Sequence, residues 1–538
     1  MTNATFPRSA DARVDLYTSG LGTLLRERAA AHPDRVALVG PSADPSRGTR
    51  RFTYAELLRE VQAVAAGLSQ RLQRGERLAV MAQNNVEWLI VQSAAATAGL
   101  VLVAVNPLLT TPELRYILQH SGAAVLLRTP SFRGHDIAGI AAEAARGLGG
   151  VREILDLAEL GTLHADPTLA PDPDLVDGRQ LAMLQYTSGT TGTPKCVMLN
   201  HVSVINDGRF LFEALGAPDG MVAITGNPLF HTGGCVAGWL GPLYTSGTLI
   251  LVDHFVAAEV MELARTWQAD ILITVATMLT DLVDEARRQG ADATPKVRYI
   301  TTGAANVPRA LLEGARHHFD ASLHNVFGMT EASSVITAVR PGSSDDDFLN
   351  TLGTPLTGTE VAILDPATGE TVPPDVEGEI AIRGSGVMIG YKTDTEEPGQ
   401  GLDADGWFRT GDLGRVDDRG YLTITGRLKD LIIRGGENIA PAEIENRLAE
   451  HPAVIHASVV GIPHERLGEE IVAVVHLREE ATGVLLDEIK AHCFTTMGRF
   501  KVPTRWFTAT EFPMTASRKI QRFRLQEQVQ RGDLTPWA

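Results

Sequence analysis

Cysteine is scarce: Cys196, Cys235 and Cys493 are the only three in 538 residues, and they lie far apart. Such a set makes neither a CxxC metal pattern nor a disulfide framework, and it suits the reducing cytoplasm. Positive charge is also short, with 48 Lys and Arg against 65 Asp and Glu and a formal net charge of −17. No long basic run offsets that balance, which argues against nucleic acid or an anionic membrane surface as the main partner. The opening residues Met1 to Arg8 lack the apolar core of a secretory signal. One uncharged segment, Trp88 to Val105, approaches the length of a membrane span. Gly99 divides it, however, into a helical half and the β-branched run Val101 to Val105, which Asn106-Pro107 ends. A buried helix feeding a buried strand is therefore expected, with no stable membrane insertion. Internal repeats are lacking.

What is there is ordinary globular composition, 44% hydrophobic and 21% charged. The length suggests three or four structural units, and 52 Gly with 28 Pro point to many short elements joined by turns. From Phe52 to about Pro374, helical apolar faces alternate with short apolar strands. Leu57, Leu58, Val61, Val64 and Leu68 follow helical spacing, and Leu78 to Ala82 then reads as a strand. Thr111 is expected to cap a helix that carries Leu114, Ile117 and Leu118 and stops at Gly122. The alternation implies an α/β body of parallel sheets covered by helices on both faces.

Beyond about Val361 the pattern changes to short antiparallel strands, 360–364, 378–383 and 421–425, in a small β-rich subdomain. After Gly426 comes a compact α+β pattern: helix 441–448, strands 455–460 and 471–477, helix 486–496. The expected division is a large N-terminal body (1–426), a hinge (427–430) and a small mobile C-terminal domain (431–538). The polar run Ser343 to Asp347 reads as an exposed loop.

The segment Tyr186-Thr-Ser-Gly-Thr-Thr-Gly-Thr-Pro-Lys195 carries the most chemistry. Its glycines let several backbone N–H groups face one anion. The hydroxyls of Thr187, Ser188, Thr190 and Thr191 add donors beside Gly189 and Gly192, and Lys195 adds a positive charge. Such a loop suits a polyphosphate. It is not a Walker A loop, because Pro194 precedes the lysine and Cys196 follows it. An apolar strand, 181–184, leads into the loop, and helical sequence is expected after it.

Further along stand Thr302-Gly-Ala-Ala305, Asn325-Val-Phe-Gly-Met-Thr-Glu331, Gly406-Trp-Phe-Arg-Thr-Gly-Asp412, Gly426-Arg-Leu-Lys-Asp430 and Ser517-Arg-Lys-Ile-Gln521. Together with the Gly/Thr loop, and in this order from about Leu24 to Leu525, they resemble the adenylate-forming superfamily. That superfamily holds acyl-CoA synthetases, aryl-CoA ligases, adenylation domains and luciferases, and the likeness is greatest to medium-chain and aryl acyl-CoA synthetases.

The resemblance implies an ATP- and Mg²⁺-dependent ligase that adenylates a carboxylic acid, releases pyrophosphate and passes the acyl group to CoA. It casts Thr330 as a phosphate contact and Glu331 as the Mg²⁺ ligand. Gly303, Ala304 and Ala305 would lie against adenine, with Phe327 and Gly328 on its other side. Asp412 and Arg427 would meet the ribose, and Asp412 can accept from two vicinal hydroxyls. Lys519 would be the principal catalytic lysine, touching carboxylate and α-phosphate oxygens from the mobile domain.

Lys429 falls at the family's hinge position. Gly435 and Gly436 leave room for a pantetheine arm. Arg499 and Lys501 fit either the phosphates of CoA or an ordinary surface pair. His231, Gly233, Gly234 and Val335 would line an apolar or aromatic acyl pocket. Two departures stand out: Cys196 and Arg518 occupy positions where relatives usually carry Gly.

The same motifs serve relatives that load carrier proteins, form amides, or activate nitrite to diazotise an aromatic amine. They do not separate those acceptors from CoA. A nucleotide-binding regulatory module without turnover is opposed by the retention of Lys195, Glu331, Asp412 and Lys519.

Overall fold

The structure, a computed structural model, describes residues 5–6, 14–187, 194–290, 293–303, 307, 309–393, 400–434, 437–464, 466–478, 486–514 and 520–537. Among these residues four β-sheets are present.

The uncharged segment forms the centre of the large body. Asn85 accepts from Trp88 N at 2.8 Å and so starts the helix Val86–Thr97, every residue of which is buried. Gly99 turns the chain with φ +70°, and Val101–Val105 follows as a wholly buried strand. This is the helix-then-strand arrangement expected for a core segment. Among the described residues no helix is long and apolar enough to cross a membrane.

That strand belongs to a seven-stranded sheet ordered Gly390–Lys392, Lys195–Asn200, Leu181–Thr187, Val101–Val105, Arg77–Met81, Ala123–Arg128, Glu153–Asp156. The last five run parallel, and the first two are antiparallel additions. The nine-stranded sheet likewise has a parallel centre, from Ser322–Phe327 to Val36–Pro41. Its margins, including Thr49–Thr53 and Thr337–Ala338, are antiparallel. The body is therefore built of mixed sheets, not wholly parallel ones.

Three local expectations are corrected. The Gly/Thr loop does not lead into a helix: Leu181–Thr187 and Lys195–Asn200 are hairpin partners, with Thr187 opposite Lys195. The apolar run Cys196 to Leu199 is buried within the sheet, which suits a strand, and the helix His201–Ala214 begins only after Asn200 caps Ser203 N at 2.8 Å. Thr110, not Thr111, caps the helix Thr111–Ser121, because Glu113 stands three residues after it and accepts from Thr110 N at 2.7 Å. The run 343–347 is not simply an exposed loop. Ser344 and Asp347 form a capping box that starts the helix Asp345–Asn350, and Asp347 is buried and paired with Arg419 at 2.9 Å.

The β-rich part is an antiparallel sheet of Thr5–Phe6, Thr359–Leu364, Gly378–Gly384, Phe408–Val416 and Leu422–Arg427. After a 3-10 turn, Leu428–Asp430, a six-stranded sheet spans Ile432–Arg434 to Thr535–Pro536. It has apolar cores of its own, one of them holding Ile444, Val459, Ile489 and Trp506. The helix Leu486–Thr496 has the bounds read from sequence.

Candidate active site

The hairpin, the turn beyond the strand end at Phe327 and the antiparallel β-rich sheet meet at Tyr391, whose ring centroid lies 6.3 Å from that of Phe408 in the β-rich sheet. Lys195 is exposed at the start of its strand, and its ammonium lies 4.7 Å from the centroid of the Tyr391 ring, a cation–π contact. Tyr391 sits in Gly390–Lys392, paired across from Val197, and its hydroxyl donates to Glu331 Oε1 at 2.8 Å. Burial, then the Glu331 charge, push the Tyr391 hydroxyl well above its ordinary pKa, so it stays a donor. Tyr391 thus links two predicted site residues. Nothing in the local sequence marks it, because the link depends on the pairing of distant strands.

Glu331 lies in a 3-10 turn, Thr330–Ala332, just beyond the strand Ser322–Phe327. Its backbone O accepts from Met388 N at 2.8 Å. Ser333 follows with φ +63°, an uncommon value for a side-chain-bearing residue, and its Oγ donates to Gly386 O at 2.7 Å. A Cβ on Gly328 would lie 1.7 Å from Ser334 O, so this fold of the chain requires glycine there. Thr330 is half-buried beside Glu331.

Gly303 ends the strand Tyr299–Gly303 directly opposite Val326, and a Cβ there would meet Val326 O at 2.5 Å. Gly303, half-buried Phe327 and exposed Gly328 therefore share the carboxyl ends of two neighbouring parallel strands, the usual ligand crevice of open α/β sheets.

Asp412 and Arg427 face each other across two paired strands, and Arg427 Nε donates to Asp412 Oδ1 at 2.5 Å. The Asp412 side chain is 1% exposed, and among the described residues its Oδ2 has no partner. Burial raises the Asp412 pKa while Arg427 pulls it back. An orphaned buried carboxylate oxygen costs on the order of 1–3 kcal/mol or more, so a ligand hydroxyl would be well received there. Lys429 is near: burial, then Arg427, lower its pKa, and Asp430 and Asp412 oppose them, with a further lowering from Lys195. Asp430 accepts from Arg522 at 2.8 Å, and Arg522 also reaches Glu445 at 2.6 Å, which ties the turn to the small α+β unit.

His231 is half-buried, its ring centroid 4.7 Å from that of Phe230. Its O accepts from Gly234 N and Cys235 N. A π-helical stretch, Gly233–Gly238, follows, a widened turn of the kind often found at functional sites. A Cβ on Gly234 would lie 2.3 Å from Pro228 O. Cys235 O accepts from Gln92 at 3.2 Å, and its Sγ receives Gln185 at 3.6 Å from the strand that enters the Gly/Thr loop. Val335 is buried in one apolar cluster with Phe210, Ala237 and Leu356.

Arg499 is exposed, with its guanidinium 6.0 Å from the Phe494 ring centroid. Lys501 is held by both oxygens of Glu443, at 2.6 and 2.7 Å, so Arg499 is the more available cation of the two. Thr187 is half-buried at the end of its strand. Ser188, Gly189, Thr190, Thr191, Gly192, Ala304, Ala305, Gly435, Gly436, Arg518 and Lys519 lie outside the described residues. No group of three or more potential metal ligands occurs among the described residues. One carboxylate with bound phosphates is nonetheless a sufficient donor set for Mg²⁺, which keeps several waters and is typically held by one or two carboxylates.

The sequence model of the AMP-binding enzyme family matches residues 25–392, and that of the AMP-binding enzyme C-terminal domain matches 443–519. The protein YngI of Bacillus subtilis (strain 168) is 36% identical over 548 residues, covering 96% of this chain and 98% of its own. The human mitochondrial medium-chain acyl-CoA ligase ACSF2 is 32% identical, covering 96% and 88%. The fold is shared with ATP-bound MatB from Rhodopseudomonas palustris (TM-score 0.83, 28% identity, 95% of this chain and 99% of that one). It is shared too with the o-succinylbenzoate CoA synthetase MenE of Bacillus subtilis in complex with its acyl-adenylate intermediate (TM-score 0.80, 29% identity, 95% and 99%). The chain belongs to the AMP-binding enzyme family and is a ligase of the adenylate-forming type.

Proposed function

We propose that the chain is an acid–thiol ligase that activates an apolar or aromatic carboxylic acid with ATP and transfers it to CoA. The observation that carries this reading is the linkage of Lys195, Tyr391 and Glu331, which groups a cation and an anion at the start of the strand Lys195–Asn200. A polyphosphate and its metal need such a pair. In the first step a carboxylate oxygen attacks the α-phosphorus, pyrophosphate leaves, and an acyl-adenylate forms. In the second the CoA sulfur attacks the acyl carbon and AMP leaves.

Lys195, Thr187, Thr330 and the loop residues 188–192 bind the phosphates. Asp412 Oδ2 accepts from the ribose, with Oδ1 fixed by Arg427. Adenine lies between the strand end at Gly303 and Phe327–Gly328, with Ala304 and Ala305 assigned to the same contact from the sequence motif. Glu331 would hold Mg²⁺, which when bound would neutralise charge among the phosphates. Lys519 delivers the ammonium that stabilises the charge growing at the α-phosphate and carboxylate. The small domain, 431–538, then turns about Lys429. Gly435 and Gly436 pass the pantetheine, and Arg499 meets a CoA phosphate. His231, Gly233, Gly234 and Val335 wall the acyl pocket. The likeness to a medium-chain acyl-CoA ligase supports an apolar acid.

The test is AMP and thioester formation over a panel of carboxylic acids, with and without CoA. Acyl-CoA formed together with AMP is the expected result. AMP formed at the same rate without CoA, or only from nitrite with an arylamine, would assign a different acceptor.

A further inference from the structure

We infer that Asp207 is a positioning residue for the acid substrate, holding by its carboxyl the backbone of Val335 and hence the pocket wall. The inference rests on the reading of Val335 as part of that wall.

Asp207 stands in the helix His201–Ala214 and is 3% exposed. Both of its carboxyl oxygens accept from Val335 N, at 3.1 and 3.0 Å. Among the described residues the carboxyl has no other hydrogen-bond partner. Its surroundings are apolar: Phe210 and Leu211, on the next turn of the helix, share a cluster with Val335, Ala237 and Leu356. A carboxyl is costly there, and a leucine would fill such a position more cheaply. Burial holds the group well above the usual carboxylate range, so the neutral acid is the form the site favours.

The segment Ser333 to Ile336 is tied to its surroundings by several hydrogen bonds, among them Leu356 N to Ile336 O at 2.9 Å. Ser333 Oγ donates to Gly386 O at 2.7 Å, Ile336 N donates to Phe327 O at 2.7 Å, and between them Val335 N is held by Asp207. Only the last tie comes from the helix that continues the Lys195–Asn200 strand. It joins the phosphate hairpin to the acid side of the site, and it leaves untouched the Met388 bond that holds Glu331. Its loss should therefore loosen the acid pocket and spare the ATP site.

The experiment compares wild type, Asp207→Asn and Asp207→Leu in pyrophosphate release, using straight-chain acids from butanoate to dodecanoate. Asparagine copies a neutral carboxyl, and leucine removes the acceptor while keeping the same branched skeleton. Expected for Asp207→Leu are an acid KM at least about 10-fold higher, a flattened preference among acids, and an ATP KM within about 2-fold of wild type. Asp207→Asn is expected to stay within about 3-fold of wild type throughout. An ATP KM that rises as much as the acid KM, or an unchanged acid KM and preference, would overturn the inference. Where Asp207→Leu does not fold, Asp207→Ser, too short to reach Val335, replaces it with the same expectations. If the wild type activates no carboxylic acid, the functional reading fails by itself. Amide exchange at Val335 then tests the tie: faster exchange in Asp207→Ser than in wild type and Asp207→Asn supports it, and equal exchange refutes it.

Discussion

Tyr391 donates its hydroxyl to Glu331 at 2.8 Å while the face of the same ring lies 4.7 Å from the Lys195 ammonium. One side chain therefore orients both the proposed metal carboxylate and the proposed phosphate cation. The ring and the hydroxyl act separately. Tyr391→Phe is expected to keep the cation–π contact and lose the hydrogen bond, lowering pyrophosphate release about 10-fold with little change in melting temperature. Tyr391→Ala is expected to lose both and fall further. Steady-state rates and thermal melts of the two variants check this.

Asp412 is expected to need its charge. Asp412→Asn should weaken ATP use by about 10- to 100-fold, as one charge-assisted contact at the ribose and the pairing with Arg427 are both lost. Burial raises this carboxyl, so kcat/KM for ATP should fall at a higher pH than an ordinary carboxylate would dictate. The stability effect has the opposite sign. A raised acid in the folded state favours folding below its unfolded pKa, and that contribution is lost as pH rises through the folded value. Urea unfolding across the acid range should therefore show a decline in wild type that Asp412→Asn lacks.

The turn Leu428–Asp430 is expected to move between half-reactions. Lys429→Pro fixes one torsion at about −65°. Adenylation is expected to stay within about 3-fold of wild type while thioester formation falls by at least about 100-fold. Measuring pyrophosphate release and acyl transfer from preformed acyl-adenylate separates the two steps. Equal loss in both would remove the hinge role.

Gly328 is expected to tolerate no side chain. A Cβ would meet Ser334 O at 1.7 Å and Val335 Cα at 2.8 Å, so Gly328→Ala must push the Ser333–Val335 segment away from the strand end. A stability loss of about 1–3 kcal/mol is expected, with a larger loss of adenylation, read by urea unfolding and pyrophosphate release.

The elements legible in the sequence are those whose cause is local. The buried helix Val86–Thr97 and its strand were readable because charge is missing and Gly99 interrupts the run. The helix Leu486–Thr496 matched to the residue. Asp412 and Arg427 were each singled out, but their pairing depends on strand register, which alternation alone does not set. The strand after the Gly/Thr loop was missed because a short apolar run fits helix or strand equally well. Tyr391 and Asp207 were missed for a different reason. Each gains its role from a partner distant in sequence, Glu331 in one case and Val335 in the other.

The central claim is that this chain makes a mixed anhydride from an acid and Mg²⁺-ATP without CoA. Exchange of labelled pyrophosphate into ATP, run without CoA, measures that step directly. The account expects exchange that requires both a carboxylic acid and Mg²⁺ and that Lys519→Ala abolishes. Exchange that proceeds without any acid, or that survives unchanged in Lys519→Ala, would contradict it.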